Sequence, residues 1–284
     1  LTGAAVTHTG KAARPGFRLR PGRWALKAAA LVAFIYILTP LIFITWLSFY
    51  SQEIPSYPPQ GYTLRWYGQA IGNQRFIDAF VISAQVGILA TLIGLVIALP
   101  ASLGLARLRF FGRGAVNNLL LMPLIVPGIV LGFAIYVMLV EVAIRFEWNM
   151  LNSFGGLVFG HVLLVVPWMV RLIMASLAGF DRTLEEAAMN LGANRLTTFR
   201  RVTMPGILPG IVAGSMFGFV ASFGNLELSL FLVGPGRTTL PIAILQYLQW
   251  KIDPTIAAIS VLQIIIIAVA MLITDRFVKL SRVV

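Results

Sequence analysis

Six long apolar runs, at residues 24–50, 79–106, 115–140, 154–178, 204–225 and 254–274, restrict this chain more than any other feature of it. A hydrocarbon layer about 30 Å thick is crossed by roughly 20 apolar residues in helical form, and each run is long enough to do so. The expected fold class is therefore an all-α integral membrane protein with six transmembrane helices. Of the 284 residues 58% are hydrophobic and only 11% charged, and the mean hydropathy of +0.88 is beyond what a soluble domain needs. The first run follows a basic start, but it exceeds the 7–15 apolar residues, roughly, of a secretion signal.

Charge orients the six spans. Only Arg65, Arg75, Arg145, Arg237 and Lys251 fall on the side opposite the amino terminus, while the other 17 of the 22 basic residues share its side. Basic loops stay in the cytoplasm, so both termini are expected there. The net charge of +12 then reflects orientation, and no nucleic-acid partner is expected. Residues 1–23 form a basic tail, read as a disordered segment near the cytoplasmic membrane surface and carrying a solvated His8. Residues 24–284 form the membrane domain. Tyr57, Tyr62, Trp66 and Tyr67, after the first span, suit an interfacial belt.

One polar island interrupts the apolar pattern, DRTLEEAAMNLGANRLTTFRRVTMPGILP at 181–209. Thr183 with Glu186 three residues on fits a capping box, so a helix should start there. Leu184, Ala187, Ala188 and Leu191 recur at helical spacing and make one apolar stripe, with Glu185, Met189 and Asn190 off it. Gly192 permits a left-handed stop. Asn194 then caps a second short segment carrying Leu196, Phe199 and Val202. Two short amphipathic helices with a glycine hinge make a docking device, placed in the cytoplasm by the charge count.

Glu186-Ala187-Ala188, three residues, Gly192, nine residues and then Val202-Thr203-Met204-Pro205 resembles the EAA loop of importer-type ABC permeases, whose last four positions read I-x-L-P. From about residue 60 to 280 the chain also resembles the spermidine/putrescine-type branch, through TLRWY at 63–67, MPLIVPGIV at 122–130, LFLVGP at 230–235 and TLP at 239–241. The resemblance implies the type I importer permease fold in a bacterial inner membrane, with a coupling loop at about 181–205. It implies as partners an ATP-binding cassette ATPase dimer, a second and generally different permease chain, an extracytoplasmic solute-binding protein and membrane lipid. Thr183, Leu184, Glu186, Ala187, Ala188, Leu191, Gly192, Leu196 and Phe199 would then be the ATPase-coupling residues. Glu186 stays open between a cap, an ATPase contact, or both. A polyamine is the implied solute, with phosphonate, ferric ion or thiamine as alternatives.

The chemistry that is missing agrees with a transport subunit. No GxxxxGK[ST] loop is present to hold nucleotide phosphates, so ATP and Mg belong to the partner ATPase and this chain needs no cofactor. There are no cysteines and two histidines, with no metal-ligand spacing, and no hydrolase signature. His161, inside the fourth span, reads as a packed, hydrogen-bonded histidine. A proton-coupled carrier would need a richer set of buried acids and bases. An ATP-independent channel or carrier is the reading from outside the class.

Ionisable groups inside spans are costly and usually functional. Arg171 sits where it can snorkel to the surface. Glu227, at the end of the stretch Ser222-Phe223-Gly224-Asn225-Leu226-Glu227, is either a wetted carboxylate at the outer mouth or part of the translocation path, for which Ser222 and Asn225 are the other candidates. Related permeases often carry Asp near 224–225, where this chain has Gly224 and Asn225. Either Glu227 supplies that charge or the solute is not a polyamine. Gly206, Gly210, Gly214 and Gly218 recur every four residues and form one smooth helix face, for close packing or for sliding.

Overall fold

The computed structural model describes residues 21–278, so residues 1–20 of the basic tail expected at 1–23, His8 among them, lie outside the described residues. Two compact units divide between Ile44 and Thr45. The first is carried by the apolar helix α1, Pro21–Leu47, which contains Pro40.

In the second unit, a short helix α2 (Arg65–Gly72) precedes α3 (Gln74–Arg107). Asn73 starts α3 by accepting the Arg75 N–H at 3.1 Å. At 34 residues, α3 extends about 51 Å, well past a hydrocarbon core of about 30 Å. The single apolar run expected at 115–140 is broken. A short α4 (Arg113–Leu121) and a tight turn, Met122–Leu124, end before α5 (Gly128–Phe146), which alone is long enough to span. Pro123 and Pro127 cannot donate to the ladder, so helix stops and restarts around them.

Next come α6 (Phe154–Ala178), α7 (Thr183–Asn190) and α8 (Arg195–Thr198). The last continues through a wider turn at Phe199–Thr203 into α9 (Met204–Phe223). A short α10 (Ser229–Leu232), α11 (Leu240–Trp250) and α12 (Thr255–Val278) complete the described chain. Among the described residues, six helices are long and apolar enough to cross a membrane. Between α10 and α11, Gly234-Pro235-Gly236 forms the expected turn, with Arg237 N–H donating to Gly234 O at 3.0 Å and Gly236 at φ +73°.

Two buried clusters order the second unit. Val86, Ala90 and Ala98 of α3, Val165, Met169 and Ile173 of α6, and Ile207 and Ile211 of α9 form the larger one. The smaller joins Trp66, Phe76, Phe223, Leu240 and Ala258. Trp66 is completely buried and donates from Nε1 to Tyr50 O at 2.6 Å. It is thus a core residue, not part of an interfacial belt, because its one polar atom finds an internal acceptor. Tyr57 and Tyr62 remain exposed.

Candidate functional site

The polar island forms α7 and α8, but its first helix is capped differently from the expectation. Thr183 is the first helical residue and makes no side-chain cap. Instead Asp181 Oδ1 accepts the Thr183 N–H at 2.9 Å. That bond, with the Thr183 side chain, holds the Asp181 carboxyl below its ordinary range. No capping box joins Thr183 to Glu186, since an Asx turn one step earlier already fixes the helix start.

The end of α7 is a Schellman arrangement. Gly192 N–H donates to Met189 O at 2.9 Å and Ala193 N–H to Ala188 O at 3.1 Å. Gly192 sits at φ +90°, the left-handed stop such a motif requires. Asn194 Oδ1 then accepts the Thr197 N–H at 2.8 Å and starts α8.

The residue that ties this hairpin to the membrane helices is Glu185, one of those placed off the apolar stripe. It is buried. Arg107 at the end of α3 donates from both terminal nitrogens, Nη1 to Oε2 at 2.7 Å and Nη2 to Oε1. Thr203, at the entry to α9, donates its buried hydroxyl to Oε1. Burial pushes the carboxyl upward, but bonds from Arg107 and Thr203 and the charges of Arg107 and Arg182 outweigh it and hold it below the usual range. Arg182 adds a bond from Nη2 to Ala106 O at 2.8 Å, placing a cation on the carboxyl end of α3.

The opposite face of the hairpin is open. Leu191 is 90% exposed and Leu184 52%, and Met189, Leu196, Glu186 and Ala187 are also exposed. Ala188 and Phe199 are half-buried. The stripe therefore packs little within the chain, which is anchored through a carboxylate instead.

The four glycines of α9 all face the carboxyl-terminal half of α6 or the residues just beyond it. A methyl at Gly206 would overlap the Phe180 ring, and one at Gly210 would overlap Ser176. At Gly214 it would lie 3.3 Å from Met169 Cα, and at Gly218 2.6 Å from Met169 Cε. These are seats for particular side chains, so the face is keyed, not smooth.

Of the three path candidates, only Glu227 is exposed. Ser222 is buried, within 2.7 Å of His161 Nδ1; it faces the helix packing and not an open path. Asn225 Oδ1 accepts the Leu228 N–H at 2.9 Å, so this side chain shapes the turn. Glu227 borders a cavity of about 500 Å³. A larger cavity, about 760 Å³, lies between the start of α3 and α11. Its charged groups include Asp78 and Lys251, already bonded to Gln74 and Asp253. Arg171 is exposed. Among the described residues no three His, Asp or Glu converge as metal ligands would.

Residues 90–282 match the family described as "Binding-protein-dependent transport system inner membrane component", a stretch that includes both the anchored hairpin and the Glu227 corner. The chain belongs to this family. The putrescine transport system permease protein PotI of Escherichia coli strain K12 is 28% identical over 82% of this chain and 83% of its own. The spermidine/putrescine permease PotC of the same strain is 26% identical over 89% and 92%. The molybdenum transport system permease protein ModB, also from K12, is 31% identical over 72% and 94%. Among solved structures, a chain of a bacterial alginate ABC transporter in complex with a pentasaccharide-bound periplasmic protein superposes with TM-score 0.67 at 17% identity. That match covers 90% of this chain and 94% of the other, and shows the fold. The protein is thus a multi-pass permease of a bacterial inner membrane, a transport subunit of the ABC importer type.

Proposed function

We propose that this permease forms one half of the translocation path of an ATP-driven importer, with α7 and α8 as the element on which an ATPase subunit docks. One observation carries the reading. The hairpin exposes Leu184, Leu191 and Leu196 on one side while Glu185, on the other, is bound to the ends of both α3 and α9. A displacement applied to the open face reaches two membrane helices through one carboxylate. Such a lever converts a movement outside the membrane into a movement within it. The excess of basic residues on one side supports a cytoplasmic hairpin and cytoplasmic termini. An extracytoplasmic binding protein would deliver the solute on the opposite side, and a second permease, generally a different chain, would complete the path.

The polyamine cargoes named for two relatives, with a carboxylate at the cavity beside α9, favour a small organic cation as solute. The relative named for molybdenum transport keeps an inorganic solute as the second class. A thermal-shift screen of the cognate binding protein with both classes decides between them, since the true ligand stabilises the fold it binds.

Coupling is tested by Glu186→Ala and Gly192→Asp. Glu186 is exposed and without an ion pair among the described residues, so its loss should leave insertion and expression intact while ATPase co-purification or ATP-dependent uptake falls. Gly192→Asp places a side chain at φ +90° and disturbs the hairpin turn. Wild-type uptake by both variants at equal expression would refute the docking assignment.

A further inference from the structure

Where the chain leaves α9 it makes a tight corner through Gly224–Leu228 before re-entering as α10. A single imidazole closes that corner. His161, two turns into α6, is 2.7 Å from Ser222 Oγ through Nδ1 and 3.2 Å from Ser229 Oγ through Nε2. Ser229 spends its only hydroxyl proton on Asn225 O, at 2.8 Å. Its oxygen must therefore accept from His161 Nε2–H, which leaves Nδ1 to accept from Ser222. Every polar group of the network is satisfied by that one tautomer, as a buried network requires.

The other side of the corner rests on α5. A methyl at Gly132 would lie 3.0 Å from Leu228 Cα, and one at Gly128 would overlap Glu227 Oε2. Gripped between α5 and α6, the corner projects Glu227 toward the 500 Å³ cavity, whose walls include Pro123, Val126, Leu164 and Trp168. Glu227 is the only charged residue among those lining it. Trp168 packs at 4.5 Å on Phe217 and is thereby held in place.

Two helix ends also border the cavity, the last turn of α9 and the first residue of α5. They carry partial charges of about −0.5 and +0.5 and roughly offset each other, so the full charge of Glu227 sets the sign. A carboxylate beside an aromatic ring in a largely apolar cavity is a setting for an organic cation.

We infer that this cavity receives an ammonium group of the solute, met by Glu227 and the Trp168 ring, and that His161 is the positioning residue that fixes the corner bearing Glu227. The inference rests on the transport reading and adds the Trp168 face on which the cation is met and the role of His161 in placing the carboxylate.

The test uses the full chain purified in detergent with the transporter subunits that accompany it. Tryptophan fluorescence is titrated with putrescine, with sodium sulfate at matched ionic strength and 1-butanol as controls, and Trp168→Phe isolates the responding ring. Putrescine should give a saturable, Trp168-dependent change that the controls do not. Glu227→Gln should raise the apparent Kd tenfold or more. His161→Ala should do the same, while His161→Gln, able to donate to one serine and accept from the other, should restore most of the affinity. Gly128→Ala, which displaces the carboxylate without removing it, should weaken binding as a second probe.

No Trp168-dependent response, an equal response to sulfate, or an unaltered Kd in Glu227→Gln overturns the cation site. A Kd unchanged in His161→Ala, or equally lost in His161→Gln, overturns the positioning role. A silent cavity in a permease that still binds its ATPase refutes this inference alone. A responsive cavity in a permease that binds no ATPase refutes the coupling reading alone.

Discussion

Replacing Glu185 with alanine removes the one side chain that joins α7 to both α3 and α9. Breaking a buried ion pair from one side costs about 3–5 kcal/mol when the partner stays buried. One observation lowers that figure here: the Arg107 side chain is 30% accessible, so water takes over part of its solvation. Against this, the Thr203 hydroxyl is left buried and unpaired, at about 1–3 kcal/mol. A net loss of about 2–3 kcal/mol in the anchoring of the hairpin follows, or roughly 30- to 150-fold more frequent opening at 1.4 kcal/mol per tenfold.

Hydrogen exchange followed by mass spectrometry over residues 181–203 reads this directly. Exchange should accelerate there by one to two orders of magnitude, with the buried parts of α3, α6 and α9 little changed. Glu185→Gln keeps the shape and an acceptor for Thr203 and should cost only about 1 kcal/mol. In a double-mutant cycle Arg107→Ala with Glu185→Ala should be no worse than the worse single change. Exchange within twofold of wild type in Glu185→Ala, or acceleration spread evenly over the whole chain, would refute the anchor.

Other outcomes follow from the same geometry. Gly210→Val forces a side chain into Ser176 and the Leu172 carbonyl, and should destabilise the α6–α9 contact by at least about 1–3 kcal/mol, visible as a lower thermal midpoint in detergent. Gly192→Ala meets no atom within 4 Å, so its penalty is only the left-handed backbone, about 1–2 kcal/mol, confined to hairpin exchange. At Asp253, burial raises the carboxyl but bonds from Lys251, Thr255 and Tyr247 outweigh it and lower it. The carboxyls of Glu185 and Asp253 are both depressed in the folded state. Their stabilisation is present above the unfolded values of about 4 and is lost as pH falls through the lower folded values. Acid titration should loosen the hairpin only below about pH 4, and Glu185→Ala should abolish that part of the response; loosening centred near neutrality would contradict the assignment.

The six spans were legible because span length and apolarity are local properties. Span 154–178 coincides with α6, four others shift at their ends by a few residues, and the third is broken, since the prolines at 123 and 127 divide it more deeply than its composition suggests. The hairpin's stop at Gly192 and the cap at Asn194 were equally local. What escaped was non-local. Glu185 looked like an outward polar residue because its partner, Arg107, is 78 positions away. Thr183 lost its expected cap to Asp181, a nearer competitor for the same backbone donor. Trp66 read as a belt aromatic because nothing in the local sequence points to the Tyr50 carbonyl that lets it be buried. Ser222 was counted with the path because its hydroxyl partner stands on another helix.

The Arg107–Glu185 contact also orders the making of the molecule. Its two residues belong to helices separated by everything from α4 to α6, and the Thr203 hydroxyl that completes it arrives later still. The outward-facing hairpin is therefore not held in its final pose until α3, α6 and α9 are all in place. A chain made only as far as α8 lacks the Thr203 hydroxyl, so the docking face proposed for an ATPase would be fixed only once the entry to α9 has followed.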